Sequence, residues 1–159
     1  MIELKPVDGD NVWDIVELSV QDDQQNYVAS NTASILEAYT TGIAGQIALP
    51  FGIYNDNELV GFVMFGFDTD GSVDDPEVAV GNYCIWRFMI DKRYQGKGLG
   101  KKAVGASLDY LRTWPCGPAD FCWLSYEPEN EGAKALYQAL GFRENGEVCG
   151  GEIVAVLDL

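Results

Sequence analysis

Apolar residues in the first part of the chain recur every three to four positions, which is the spacing of an amphipathic helix. The pattern predicts a first helix capped by Asp8 or Asp10, a polar loop over 21–26, and a second helix over about 32–41 capped by Asn31. The apolar positions of the first helix are Val12, Ile15, Val16 and Val20. Two helices are therefore expected before the first long strand.

Apolar runs farther along the chain predict strands. Residues 47–54 and 58–67 are two such runs joined by a polar turn, and the second is apolar on both faces, so a central place in a covered sheet is expected. Further strands are predicted at 3–5, 80–90 and 121–126, with a hairpin over 143–159. Helices are predicted over 98–114 and 130–140. This alternation predicts one mixed α/β domain over residues 1–159.

Composition narrows the chemistry. The chain has 159 residues, no histidine, and 25 acidic against 10 basic residues, for a formal net charge of −15. The absence of histidine excludes Ser-His-Asp catalysis, Cys-His catalysis and histidine-bearing zinc sites. The acidity argues against nucleic acid as a partner and suits a cationic partner, with solubility alone as the other explanation.

The sequence lacks the features that mark membrane spans, signal segments and metal sites. No apolar run approaches the roughly 18 residues of a membrane span, and no signal-like segment opens the chain, so a cytoplasmic protein away from membranes is expected. The four cysteines form neither a CxxC pair nor a zinc-site spacing and are expected as reduced thiols, with Cys84 and Cys122 buried. The acidic loop 68–77 lacks the ligand spacing of a calcium loop. No metal site is expected.

A glycine-rich segment, 93–101, lies where a predicted strand passes into a predicted helix. Free amides and the helix dipole at such a junction hold anions. Five of the ten basic residues cluster there: Lys92, Arg93, Lys97, Lys101 and Lys102. Neither the dinucleotide fingerprint nor the P-loop pattern fits. The local charge contrast favours a polyphosphate ligand, and a tight turn decorated with lysines is the alternative.

Two short motifs in the second half of the chain carry a family resemblance. The segment Gln95-x-x-Gly98-x-Gly100 resembles the signature with which the GNAT N-acetyltransferases cradle the pyrophosphate of acetyl-coenzyme A. About thirty residues later, the second family motif is matched by Asn130-x-x-Ala133-x-x-Leu136-Tyr137-x-x-x-Gly141-Phe142. The run 86–91 looks like bacterial spermine/spermidine acetyltransferases in particular. The resemblance implies a mixed, mostly antiparallel central sheet of six to seven strands flanked by about four helices, and a homodimer.

The resemblance also implies where acetyl-coenzyme A binds. Backbone groups of Phe88, Met89 and Ile90 would run along the pantetheine arm, with one N–H polarising the thioester carbonyl. Asn130 would cap its helix and bond the same arm, with capping alone as the alternative. The pyrophosphate would be held by the amides of Gln95, Gly96, Lys97, Gly98, Leu99, Gly100 and Lys101.

Tyr137 has two interpretations. Periodicity alone makes it a core aromatic, because it shares a helix face with Ala133, Leu136 and Leu140. The family motif instead implies a general acid. Transfer from a thioester expels a thiolate, and a phenol with a reference pKa of about 10 can protonate that thiolate as it leaves.

The acceptor side carries fewer signals. Asp22 and Asp23 lie in the loop where the family builds its acceptor pocket, and Trp86 would offer an apolar wall or a cation–π face. For Asp22 and Asp23 the alternative is a solvated loop, and for Trp86 it is core packing. The attacking ammonium, with a pKa near 10.4, must lose a proton, yet Trp86 and Ser125 stand where relatives carry a glutamate. The nearest other carboxylates are Glu127 and Glu129. No base is assigned.

The leading hypothesis is direct transfer of the acetyl group from acetyl-coenzyme A to a small polyamine or diamine within a ternary complex, without a metal. A covalent intermediate on Cys84 is not expected, because no histidine or evident base would activate it. The alternatives are acetylation of another primary amine, such as an aminoglycoside or a protein N-terminus, and a coenzyme A-binding regulatory module without catalysis.

Overall fold

The computed structural model describes residues 1–69 and 74–159. Part of the acidic loop predicted over 68–77 therefore lies outside the described residues. In these ranges the strands are β1 (Ile2–Pro6), β2 (Ile47–Asn55), β3 (Glu58–Phe67), β4 (Tyr83–Ile90), β5 (Phe121–Tyr126), β6 (Arg143–Cys149) and β7 (Glu152–Asp158). The helices are α1 (Val12–Glu17), α2 (Asn31–Ile43), α3 (Leu99–Leu111) and α4 (Glu131–Ala139).

The strands join one seven-stranded sheet in the order β1-β2-β3-β4-β5-β7-β6. Neighbouring strands are antiparallel except β4 and β5, which run parallel. This confirms the predicted mixed, mostly antiparallel sheet with about four helices.

The two central strands diverge. β4 and β5 pair only near their beginnings, through Tyr83 with Cys122 and Cys84 with Trp123. From there β4 continues to Ile90 with β3 as its partner. The side of β4 that faces β5 is therefore open along most of its length within the described sheet. Buried backbone N–H and C=O groups need partners, so this opening suits a ligand with donors and acceptors of its own.

Helices cover both faces of the sheet. Along β3, Val63 and Phe65 belong to a core packed by α3 and α4, whereas Phe62 and Met64 belong to a second core packed by α1 and α2. All four side chains are fully buried, which confirms that β3 is a central strand covered on both sides. A third cluster lies along β5 and β7, and Trp86 joins it to the second core.

The first helix is shorter than the periodicity predicted. α1 ends at Glu17, because Leu18 takes an extended conformation, so Val20 lies in the link that follows. The predicted caps are also corrected. Asn11 is the N-cap, while the Asp8 carboxylate accepts the backbone N–H groups of residues 10 and 11 in the preceding turn.

The second helix begins one residue earlier than its predicted cap implied. Ser30 is the N-cap, and its Oγ accepts the backbone N–H of Ala33. Asn31 is instead buried and donates its side-chain amide to the Ile15 carbonyl, which ties α2 to α1. The predicted loop 21–26 contains a single 3₁₀ turn, Asp22–Gln24.

Two later elements are also shorter than predicted. β4 begins at Tyr83 rather than at residue 80, because a 3₁₀ turn, Glu77–Ala79, precedes it. α3 ends at Leu111 rather than at residue 114. In the described part of the chain, no helix is both long enough and apolar enough to cross a membrane.

Candidate active site

A cavity of about 1160 Å³ opens where β4 and β5 diverge. A site for one small ligand measures about 300–1,000 Å³, so this cavity is larger than a usual single-ligand site. Its walls come from the divergent parts of β4 and β5, from the turn and helix start after β4, from α4, and from residues 24–29 between α1 and α2.

β4 supplies one wall, and a β-bulge shapes it. Arg87 pairs with Met64 and Ile85 pairs with Phe65 on β3, so Trp86 is the extra residue. Bulges re-aim side chains and are common beside active sites. Three residues beyond the bulge line the cavity: Phe88, Met89 and Ile90.

Trp86 is a cavity wall and a packing residue at once. It is half-buried, and a cation already lies near its ring, since the Arg87 guanidinium carbon is 5.6 Å from the ring centre. That guanidinium donates two hydrogen bonds to the Glu37 carboxylate of α2, at 3.0 and 3.2 Å. The positive charge of Arg87 is therefore balanced by Glu37.

The glycine-rich segment forms an open turn in front of α3. Gly96 and Gly98 have φ angles of +76° and +74°, a conformation that favours glycine. No atom lies within 4 Å of a Cβ placed at either residue. α3 begins at Leu99, and the first amides of a helix have no partner within it. The turn therefore presents N–H groups with free space around them.

Five residues of the turn line the cavity: Gln95, Gly96, Gly98, Leu99 and Gly100. Lys97 and Lys101 lie outside the lining. The Gln95 side chain holds the turn in place, because its amide donates to the Ile90 backbone carbonyl at 2.8 Å and to the side-chain oxygen of Gln24 at 2.9 Å. The groups with which the turn can bind an anion are therefore its backbone N–H groups.

Asp91 anchors the start of the turn. Its carboxylate is only 3% exposed and accepts the Ser19 N–H at 3.0 Å, the Arg93 N–H at 3.0 Å and the Arg93 Nε–H at 2.7 Å. Burial by itself would raise the pKa of Asp91, but these hydrogen bonds outweigh it and hold the pKa below its usual value. The ionised side chain ties the end of β4 to the link that follows α1.

α4 contributes Asn130 and Tyr137. The Asn130 side-chain oxygen accepts the Ala133 N–H at 3.2 Å, so Asn130 caps the helix, and it also lines the cavity. Tyr137 lines the cavity too and is buried, with its ring stacked on Tyr126 and edge-on to Phe142. Burial raises the pKa of the Tyr137 phenol, so it stays protonated at neutral pH. Tyr137 is both a core aromatic and a cavity residue.

Asp22 and Asp23 are not brought to the cavity. They are exposed in the turn Asp22–Gln24, which is closed by reciprocal hydrogen bonds between Gln21 and Gln24. The lining begins only with Gln24 and continues through Ala29. The turn therefore leaves its first two side chains in solvent.

Among the residues that the structure describes, three other carboxylates line the cavity: Asp75, Glu127 and Glu152. Glu152 begins β7, and its Oε1 lies 3.4 Å from the Ser125 hydroxyl. Burial and then the charge of Glu127 raise the pKa of Glu152, while the Ser125 hydrogen bond and Arg87 act in the opposite sense. Sequence analysis did not single out Glu152. The sequence did predict the final hairpin. Its second strand, β7, pairs with β5, and this pairing brings Glu152 close to the end of β5.

The thiols of the cavity are weak nucleophiles. Cys84 and Cys149 line it, and all four cysteines are free. Burial raises the pKa of Cys84 to about 12 and also raises that of Cys149, so neither is a thiolate at neutral pH. Cys84 and Cys122 are buried, as predicted. Among the described residues, no group of three or more histidine, cysteine, aspartate or glutamate side chains is placed to hold a metal ion.

The cavity is lined from both faces of the sheet. Tyr126 of β5 belongs to the core with α3 and α4, as does Tyr137, whereas Trp123 belongs to the third cluster on the opposite face. Because side chains alternate along a strand, Ser125 shares the face of Trp123, and Glu152 contacts Ser125 there. A phenol and a carboxylate therefore approach the opening from opposite faces.

Comparison with known proteins agrees with this architecture. Residues 12–142 match the model of the acetyltransferase (GNAT) family, which is most of the chain. The chain belongs to this family. Over 160 aligned residues it is 36% identical to the spermine/spermidine N(1)-acetyltransferase of Bacillus subtilis (strain 168), with 99% of each chain covered. The resemblance drawn from the two motifs is thereby confirmed.

Solved structures share the fold of this GNAT chain. The aminoglycoside acetyltransferase AAC(6')-Ib in complex with coenzyme A matches it with a TM-score of 0.78 at 19% identity, over 99% of this chain and 95% of that one. The PaiA N-acetyltransferase of Thermoplasma acidophilum, also in complex with coenzyme A, matches with a TM-score of 0.68 at 15% identity, over 100% and 99% of the two chains. At these identities the likeness concerns the fold.

Proposed function

We propose that this GNAT chain transfers the acetyl group of acetyl-coenzyme A to a primary amine of a polyamine or diamine of the spermine/spermidine class, by direct attack in a ternary complex. The observation that carries the proposal is a single cavity lined at once by an open glycine turn and by three carboxylates. Family membership supports the reaction class, and the name of the 36% identical Bacillus relative supports the substrate class.

The residues around the opening fit acetyl-coenzyme A, which supplies an activated thioester when bound. The turn before α3 offers backbone amides to the pyrophosphate, with Lys97 and Lys101 adding charge from outside the lining. The open side of β4 offers backbone groups to the pantetheine arm. One backbone N–H among Phe88, Met89 and Ile90 is the proposed donor that polarises the thioester carbonyl. Asn130 is the proposed contact from α4.

Tyr137 is the proposed general acid. The phenol lies in an enclosed place, and its raised pKa keeps the proton available at neutral pH. Burial disfavours the charged form of any acid, so a thiolate expelled beside Tyr137 would also be a stronger base than a thiolate in water. Burial therefore raises the proton affinity of both groups, so the raised pKa of Tyr137 does not by itself prevent transfer to the leaving sulfur.

Direct attack is favoured over a covalent intermediate on the protein. Both cavity thiols have raised pKa values, and the chain has no histidine to activate them. The acceptor amine would therefore attack the thioester itself, with both substrates present in the cavity at once.

The acceptor side carries negative charge where a polycation needs it. Asp75, Glu127 and Glu152 line this part of the cavity, and the guanidinium of Arg87 is already paired with Glu37. A polyamine presents one amine for reaction and further ammonium groups for recognition by carboxylates. The lining residue Trp86 offers an apolar wall to its methylene chain.

An amine panel tests the proposal. Initial rates would be compared for spermidine, a short monoamine and an aminoglycoside, at low and moderate salt, with acetyl-coenzyme A fixed. We expect spermidine to be the best substrate at both salt concentrations. A monoamine as good as spermidine would contradict the polyamine class, and turnover of the aminoglycoside alone would establish a different amine. Coenzyme binding without any turnover would indicate a regulatory module.

The exposed pair Asp22 and Asp23 is tested in the same panel. The double variant Asp22→Asn, Asp23→Asn removes two charges without touching the cavity lining. If this turn helps to recognise the acceptor, the preference for spermidine falls at both salt concentrations. If the pair acts only through the overall field, the loss disappears at moderate salt, because exposed charges are screened.

We further propose a cytoplasmic homodimer. Four free cysteines suit a reducing compartment, and the GNAT resemblance supports a dimer. The mass of the purified chain in solution, measured by light scattering, tests the dimer directly: a mass near 35 kDa, twice 17.5 kDa, is expected, and a mass near 17.5 kDa would contradict it.

A further inference from the structure

The proposed reaction needs a proton acceptor. An alkyl ammonium with a pKa near 10.4 is almost fully charged at neutral pH and has no lone pair for attack. The chain has no histidine, and Trp86 and Ser125 occupy the positions at which the GNAT resemblance led us to expect a glutamate. A protein group that takes this proton is therefore sought among the other groups that line the cavity.

Several ionisable groups of the lining are paired or remain protonated. Arg87 is bonded to Glu37, and the Tyr126 hydroxyl donates to Glu144 at 3.0 Å. The thiol of Cys84 is fully protonated at neutral pH. The carboxylates Asp75, Glu127 and Glu152 are the remaining candidates in the described lining.

Glu152 differs from the other two carboxylates by its fixed position. It begins β7 next to the end of β5, and its carboxylate lies 3.4 Å from the Ser125 hydroxyl. A base built on a strand and oriented by a hydroxyl is held more firmly than a base on a loop. Asp75 and Glu127 both lie in connecting segments between the described elements.

We propose that Glu152 is the catalytic base that takes the proton of the acceptor ammonium, an inference that rests on the proposed function. Glu152 lies on the face of the sheet opposite to Tyr137, so the acid and the base flank the opening between β4 and β5. Ser125, at a position where a relative would carry a glutamate, becomes the partner that orients a glutamate from the next strand.

The proton balance of the step is complete. Glu152 accepts one proton from the ammonium and later releases it to water. The freed nitrogen forms a bond to the thioester carbon, and the carbon–sulfur bond breaks with its electron pair on sulfur. Tyr137 protonates that sulfur, the amide nitrogen loses its second proton to solvent, and solvent restores the phenol. One proton is released per turnover.

The surroundings make Glu152 a stronger base than a free carboxylate. Burial and the negative charge of Glu127 raise its pKa, against the Ser125 hydrogen bond and the charge of Arg87. Cys149, which is paired with Glu152 in the terminal hairpin, is uncharged at neutral pH. General-base efficiency improves as the pKa of the base approaches the working pH, so this shift is in the useful direction.

The variant Glu152→Gln tests the assignment, because it keeps the shape of the side chain and removes the basic oxygen. We expect kcat for spermidine to fall by about 10²–10⁴-fold with coenzyme affinity unchanged. The matched control is Glu129→Gln, an exposed carboxylate outside the cavity lining, which should keep wild-type kcat. Circular dichroism of both variants checks the fold.

The pH profile separates a base from a binding group. In wild type, kcat should fall at low pH as Glu152 is protonated. In Glu152→Gln this limb should be replaced by a rise of about tenfold per pH unit towards the amine pKa of about 10.4, and a less basic primary amine should recover activity. A raised KM with unchanged kcat, or an unchanged pH profile, would overturn the assignment. If wild type acetylates no polyamine, the proposed function fails instead.

Discussion

Tyr137 combines packing and chemistry in one side chain. Its ring packs against Tyr126 and Phe142, and the residue lines the cavity. Periodicity and the family motif gave two interpretations of this residue, and the contacts are compatible with both. The two roles can be separated by experiment, because the ring supplies the packing and the hydroxyl supplies the proton.

Removing the hydroxyl alone should slow chemistry without harming the fold. We expect Tyr137→Phe to keep stability and coenzyme affinity but to reduce the single-turnover rate of acetyl transfer by about 10²–10⁴-fold. Tyr126→Phe is a useful comparison, since it removes a nearby hydroxyl that is bonded to Glu144. A single-turnover rate equal to wild type in Tyr137→Phe would remove the acid role.

Single residues were predictable where a local motif carried them. The glycine turn, Asn130 and Tyr137 all lie in two short motifs, and the structure brings them to one cavity. Glu152 has no such motif, because its position depends on β7 inserting between β5 and β6 in the sheet. The cap of α2 was missed for a different reason. Ser30 and Asn31 are both good caps, and only the burial of Asn31 under α1 decides between them.

At the scale of elements, the turn between β4 and α3 should decide coenzyme binding. Gly98→Val forces a β-branched residue into a positive φ and adds bulk beside the first amides of α3. Losing one hydrogen bond to a charged group costs about 1.5–3 kcal/mol, so we expect coenzyme affinity to fall by about 10–150-fold in calorimetry.

Gly100→Ala is the matched control for the turn. An added Cβ there meets only the Leu136 side chain, at an ordinary contact distance of 3.8 Å. Its coenzyme affinity should equal that of wild type. A folded Gly98→Val variant that also bound as tightly as wild type would contradict the placement of the pyrophosphate.

Asp91 should stabilise the junction between β4 and the turn in a pH-dependent way. Its pKa in the folded chain lies below the unfolded value of about 3.9, so its stabilising effect is complete above that value and is lost as pH falls through the folded pKa. We expect Asp91→Asn to lower the free energy of unfolding by about 1.5–3 kcal/mol at pH 7, measured with urea.

The pH dependence of the stability difference between wild type and Asp91→Asn checks this interpretation. The gap in unfolding free energy between wild type and Asp91→Asn should narrow as pH falls from about 4 through the lowered folded pKa of Asp91, because the unfolded chain then takes up the proton more readily than the folded chain. Asp158→Asn breaks an exposed pair with Arg143 and should change stability by about 1 kcal/mol at most. An equal effect of both variants at pH 7 would show that burial of Asp91 confers no special contribution.

At the scale of the whole molecule, the layer arrangement and the sheet were predictable from pattern and motif together. The continuous apolar run of β3 indicated a covered central strand, and the final hairpin was predicted in place. The divergence of β4 and β5 was not visible in the sequence, because it depends on pairing that stops after Cys84. The bulge at Trp86 was not visible in the sequence either, because it depends on how β4 pairs with β3. These two features create the cavity on which the function depends.

The net charge of −15 and the cavity make different contributions to acceptor choice. A diffuse negative field attracts any cation and fades with salt, whereas carboxylates inside the cavity can select the spacing of several ammonium groups. We therefore assign acceptor selectivity to the cavity carboxylates Asp75 and Glu127 rather than to overall acidity.

Product identification tests most directly whether this chain acetylates spermidine. The purified chain would be incubated with acetyl-coenzyme A and spermidine, and the amine and the free coenzyme thiol would be measured by mass spectrometry. We expect spermidine to carry one added acetyl group on a primary amine, and an equal amount of free thiol to be released. Coenzyme bound to the chain, with neither acetylated spermidine nor thiol above the enzyme-free background, would contradict it.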